Sequence, residues 1–208
     1  MRKREGMKKR RSRILAWLLA CFMVLSVIQG TGWGSLTVQA EESNEEERGH
    51  TYENGFCKAC DAYEPAVLNS NNAYEIGNAG QLYWFADKVN NESYIYGDAK
   101  AVLTADIVAN KNVLNDGELT KDVDGLRNWT PIKHYGGTFD GAQHTISGIY
   151  CYSDTIAEAG IFQLTTSSAT VENIGVLDSY YCLKEGYDVG GIVGYNSGLL
   201  EIVITQEW

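Results

Sequence analysis

Two periods of apolar residues divide this chain. Leu82, Phe85, Ala86 and Val89 fall at i, i+3, i+4 and i+7, which predicts one amphipathic α-helix with a single buried stripe. Asn78 suits its N-cap, Asn90-Asn91 ends it, and a short strand at residues 74–76 precedes it. From Ala101 onward the apolar residues instead sit in brief β-type runs punctuated by Gly, Asn and Asp. Residues 101–109 read as one strand carrying Leu103, Ile107 and Val108, while residues 67–72 and 110–127 read as polar connectors. Residues 128–150 are the densest stretch. There Pro131 pushes Thr130 toward an extended conformation, and Gly136-Gly137 breaks the chain. Thr138-Phe139 is a brief strand, Asp140-Gly141 a turn, and His144-Thr145-Ile146 a run that stops at Gly148.

Strands this short cannot hold a sheet alone, so they must stack on similar neighbours. Thr145-Ile146-Ser147-Gly148-Ile149 is followed 25 residues later by Thr170-Val171-Glu172-Asn173-Ile174. Likewise Gly190-Gly191-Ile192-Val193 echoes Ala159-Gly160-Ile161-Phe162. A period in the twenties with short strands predicts an all-β fold, a β-solenoid whose open end the helix covers. Ile146 is then expected to stack on Val171, Ile149 on Ile174, and Ile161 on Ile192.

The string WTPI…GGTFDGAQHTISGIY…AGIF…ATVENIGV…VGGIVGYNSG resembles the GLUG-repeat proteins, exported surface proteins of gut Firmicutes. The likeness covers roughly residues 74–198, with the repeats in 101–198 and the capping strand and helix in 74–91. It implies a right-handed parallel β-helix serving as an extracellular stalk or adhesive surface. Lys133 departs from the small residue usual in that family, and Gln163 from the glycine after Phe162. Residues 199–208 depart further, because such repeats continue "ENCYNTG" where this chain reads EIVITQEW. Deleting one A from GAA AAT TGT TAT AAC ACA GGA ATG G yields codons for those eight residues, so a frameshift that truncates a longer protein is the expected origin of this tail.

Charge separates the N-terminus from the rest. Eight of the 17 Lys and Arg residues, but one of the 27 Asp and Glu residues, lie in the first 40, leaving 9 bases against 26 acids beyond. The basic start, the apolar run from Ile14 to Ile28 and Val38-Gln39-Ala40 read as a secretory signal peptide over residues 1–40, cut after Ala40. An uncleaved membrane anchor and a lipid on Cys21 are the competing readings. Residues 41–49 read as a disordered acidic linker. So acidic a mature chain repels nucleic acid and anionic surfaces.

Residues 50–66 form a small Cys/His module. His50, Cys57 and Cys60 stand in an H-x6-C-x2-C pattern around the turn dipeptide Asn54-Gly55, a half-site for zinc with Glu53 or Asp61 as a fourth ligand. Export makes a Cys57–Cys60 disulfide the rival. Asp122 and Asp124 faintly suggest a calcium loop, although the other EF-hand positions are absent. Cys151 aligns with Val176 and suits a buried apolar role, with a disulfide to Cys182 the alternative. Asp140 and His144 offer an acid–base pair, yet a turn and a strand edge explain them more simply, and no catalytic residue is assigned. The resulting expectation is a non-catalytic, extracellular structural or adhesive repeat region. The alternatives are a carbohydrate-binding module using some of the 13 Tyr and 5 Trp, or the accessory repeats of a surface hydrolase or protease.

Overall fold

The computed structural model describes residues 49–201. The signal peptide, nearly all of the acidic linker and residues 202–208 of the tail lie outside the described residues. The described part is rich in strands, and its central feature is a column six strands deep. In spatial order these are Val67–Leu68, Ala73–Ile76, Lys100–Leu103, Thr138–Asp140, Thr170–Glu172 and Leu199–Glu201. Every neighbouring pair is parallel except the first, which is antiparallel. Facing positions carry the core: Tyr74, Ala101, Phe139, Val171 and Leu200 form one continuous row.

The other ladders repeat the arrangement. Ile107, Ile146 and Val176 line up in a three-stranded parallel sheet. Tyr150–Ser153 pairs with Tyr180–Leu183, Glu158–Ala159 with Asp188–Val189, and Phe162–Thr165 with Val193–Asn196, all parallel. Along the chain the strand order from Thr138 to Thr165 therefore recurs from Thr170 to Asn196. The partners are 29 to 32 residues apart.

That spacing corrects the expected 25-residue repeat. Ile146 faces Val176 and Ile107, not Val171, and Val171 faces Phe139 and Leu200. Ile149 stands opposite Ser179, whose hydroxyl accepts its N–H at 3.1 Å, and not opposite Ile174. Cys151 faces Tyr181, not Val176. Only the expected Ile161–Ile192 alignment keeps its place, as the Phe162–Val193 register requires. The cause lies at the corners. Gly148 and Asp178 are equivalent corner residues, both with positive φ (70° and 44°), and Asn173 (54°) forms the corner one strand earlier. Gly, Asn and Asp all tolerate the left-handed region. Matching Gly148 to Asn173 by type therefore slips the alignment by one strand.

The helix matches expectation. It spans Ala79–Asn91 (α1), and the Asn78 side chain accepts the Gln81 N–H at 2.9 Å. Leu82, Phe85, Ala86 and Val89 are all buried. Phe85 lies against Tyr74, Tyr135 and Phe139, while Tyr83 meets Trp129 edge-on at 5.0 Å. Trp129 is fully enclosed and donates its indole N–H to the Gly160 carbonyl at 3.0 Å. Each such large side chain contributes about 2 to 3 kcal/mol of apolar burial.

Three connectors differ from expectation. Residues 67–72 begin with the antiparallel strand Val67–Leu68. Residues 101–109 contain two strands in different sheets, because the chain turns at 104–106. The 110–127 excursion holds a hairpin, Leu114–Asn115 with Glu118–Leu119, whose Asp116-Gly117 turn has positive φ at both residues.

Candidate metal centre

The Cys/His module is a hairpin built on a demanding turn. Tyr52–Glu53 pairs antiparallel with Phe56–Cys57, and Asn54 and Gly55 take φ of 49° and 77° between them. Both values lie in the region that an Asn-Gly pair reaches at least cost. The hairpin brings Cys57 back beside His50, and Cys60 follows on the next bend.

The His50 Nδ1 lies 3.3 Å from Cys57 Sγ and 3.5 Å from Cys60 Sγ. All three donor atoms fall within 4.8 Å of one another. Zinc bonds of about 2.3 Å to sulfur and 2.0 Å to nitrogen in a tetrahedron require N···S edges of roughly 3.5 Å, so the group has the dimensions of one face of such a site. The Ala59 N–H points at Cys57 Sγ from 3.4 Å. That N–H, with His50 and Cys60 beside it, pulls the Cys57 thiol down to about 6, toward the thiolate that binds metal. Cys60 is pushed up: the Ala62 N–H favours its ionised form, but the neighbouring Cys57 outweighs it.

Neither proposed fourth ligand joins the group. Glu53 is engaged by Lys58 Nζ at 3.0 Å, and Asp61 lies outside the cluster. Among the described residues this is the one such gathering of His, Cys and acidic side chains, so Asp122 and Asp124 form no comparable centre. Cys57 and Cys60 are both free thiols in the structure.

The hairpin tip is fastened to α1. The Asn54 carbonyl accepts the Gly80 N–H at 2.9 Å, and the Asn54 side-chain amide donates to the Val108 carbonyl at 2.9 Å. Gly55 and Gly80 pack backbone to backbone, so closely that a Cβ on Gly80 would sit 1.8 Å from the Gly55 carbonyl oxygen. Phe56 is buried between Tyr63 and Tyr83, and the Arg127 guanidinium lies 4.0 Å above its ring. Sequence reasoning singled out the three clustered residues and missed these attachments. Gly80 in the first turn of a helix was the available hint.

The remaining polar candidates have structural partners. Asp140 ends its strand and accepts the Ala142 N–H at 2.8 Å and the Asn173 side-chain amide at 3.0 Å. The turn is made by the residues after it, with Ala142 and Gln143 both at positive φ. His144 pairs with Asp106 at 3.3 Å and not with Asp140, and Asp106 also accepts the Thr145 N–H at 2.9 Å. Cys151 is buried, which pushes its thiol up to about 11. Cys182 sits one residue out of register with it, so alternation places the two on opposite faces of their ladder, and both are free.

No family model, curated protein or solved structure matches this chain. Among the described residues no helix is long and apolar enough to cross a membrane.

Proposed function

We propose that this chain is a non-catalytic structural or adhesive repeat region displayed outside the cell. Its strands form successive coils of a right-handed parallel β-solenoid, α1 covers one end, and a zinc ion on His50, Cys57 and Cys60 pins the covering module. The observation that carries the reading is the recurrence of one strand order at about 30-residue spacing, with each strand facing its counterpart in parallel register. A protein organised this way gains an extended surface from repetition alone. The basic, apolar leader and the acidic remainder agree with display outside the cell.

The test has two parts. Protease shaving and antibody labelling of intact cells should find the chain on the surface, and retention of the chain inside the cell would overturn the reading. Metal analysis of the purified protein should give one zinc per chain, lost in Cys57→Ser and in Cys60→Ser. A zinc-free protein with a Cys57–Cys60 disulfide would replace the metal by the cross-link.

Carbohydrate binding is a second reading with its own support. The Tyr150 and Tyr180 rings stack 6.3 Å apart at 16°, and Tyr152 is exposed on the same strand pair. Aromatic platforms of this sort accept sugar rings. Saturable binding on a glycan array, abolished by Tyr152→Ala, is the result that selects it.

A further inference from the structure

Between α1 and residues 128–133 lies a depression of about 240 Å³ that neither the metal group nor the Tyr150–Tyr180 stack uses. Tyr83, Asp87, Asn90 and Asn91 line it from α1. They fall at i, i+4, i+7 and i+8, a second stripe beside the one that enters the core. Asn90 fastens the opposite wall to the helix. Its amide donates to the Pro131 carbonyl at 3.1 Å, and its side-chain oxygen accepts the Lys133 N–H at 2.8 Å. Tyr83 and Trp129, both buried, give the depression an aromatic lining, and the half-buried Tyr63 tilts against Tyr83 with ring centroids 5.7 Å apart.

The polar groups around this lining are of two kinds. Asn90, Asn128 and the Tyr83 hydroxyl are engaged with backbone groups of the chain. The Tyr63 and Thr130 hydroxyls, the Lys133 ammonium, the Asn91 side-chain oxygen and one oxygen of Asp87 have no partner among the described residues. The other Asp87 oxygen accepts the Asn91 amide at 2.8 Å, which fixes the carboxylate beside the Asn91 oxygen. Asp87 and Lys133 border the same depression without joining across it, since the ion pairs among the described residues are Lys58–Glu53, Lys88–Glu92 and His144–Asp106. Burial, and then the Asp87 charge, hold the Tyr63 hydroxyl above its ordinary value, so it keeps its proton as a donor.

A ligand for this wall has to donate to Asp87 and Asn91, accept from Lys133 and Tyr63, and lay an apolar surface on the aromatic lining. With one charge of each sign on the wall, an anion would meet Asp87 and a cation would meet Lys133, so the ligand that fits is neutral. A sugar ring meets every condition, because each hydroxyl both donates and accepts while its C–H groups gather on one face.

We infer that this depression binds one neutral hexopyranose ring through Asp87, Asn91, Lys133 and Tyr63. The site depends on neither the metal nor the Tyr150–Tyr180 stack.

Amide NMR of the purified chain tests this, with the methyl glycosides of glucose, galactose, mannose and N-acetylglucosamine as probes. At least one should shift the Asp87, Asn91 and Lys133 signals saturably, with a Kd on the order of 1 mM, the strength one small ligand reaches in an open site. Asp87→Asn, which keeps an oxygen for Asn91 but loses the charge, should weaken that binding at least about tenfold, as should Lys133→Met. Lys133→Arg should recover part of the loss. Both positions are exposed, so the variants keep the wild-type spectrum elsewhere. A binding curve that either substitution leaves unchanged overturns the inference. Shifts confined to Tyr150–Ser153 and Tyr180–Leu183 overturn it in favour of the tyrosine stack. Leucine binding here where no glycoside does would replace the sugar by a zwitterion, and silence toward every probe would remove the site.

Discussion

The two ends of the strand ladders are made from the same pattern but do not have the same surroundings. Phe139, Ile146 and Phe162 are almost fully buried. At the far end of the same rows, Leu200, Val176 and Val193 are only partly covered. The sequence of each row is alike, so the difference is one of neighbours. A strand inside a ladder has packed neighbours on both sides, while the outermost strand among the described residues has a neighbour on one side only. A ladder position therefore has no fixed energetic value; the number of layers around it sets the value.

The largest effect is expected where the layers are complete. Phe139→Ala should destabilise the fold by about 3 to 5 kcal/mol in chemical denaturation. Leu200→Ala, in the same row, should cost roughly half of that or less, and equal losses would remove the distinction between the ends. Next comes the metal. Zinc at a hundredfold excess over its dissociation constant should stabilise the wild type by about 2.7 kcal/mol, and chelation or Cys57→Ser should abolish the increment. Hydrogen exchange should localise that loss to the Gly80 amide and the strand Ile107–Val108, because the hairpin tip bonds to both. Gly80→Ala should cost about 1 to 3 kcal/mol by forcing the hairpin away from α1, with metal affinity falling in parallel. A variant that bound zinc normally would show that the hairpin and helix are independent.

The smallest effect concerns Asp106, which is exposed. The Thr145 N–H and then His144 hold its carboxyl below the usual range. A lowered carboxylate value means stability that is present above the unfolded pKa and lost as pH falls through the folded one. The stability gap between wild type and Asp106→Asn should accordingly be small at pH 6 and be lost as pH falls through the lowered carboxyl value. A gap that persisted at low pH would point to packing and not to charge.

Local signals were readable and distant ones were not. Asn78 and the stripe Leu82–Phe85–Ala86–Val89 announce α1, because a cap and a 3.6-residue period are properties of neighbouring residues. Asn54-Gly55 announces its hairpin, and the His50–Cys57–Cys60 spacing announces a cluster. Register is different. Ile146 and Val171 each follow a threonine and stand two residues before a corner, so identity alone pairs them, and only the residue count between paired strands separates Val176 from Val171 as the true partner of Ile146. The Gly55–Gly80 contact and the seat of Arg127 on Phe56 join segments far apart in sequence, and no short-range pattern marks either.

Val67–Leu68 has a consequence for how an assembly of these units would extend. It runs opposite to every other strand in its column, so a strand added at its outer edge would run antiparallel either to it or to the rest of the column, whereas one added beside Leu199–Glu201 could continue the parallel ladder. The two edges of the column are therefore unlike.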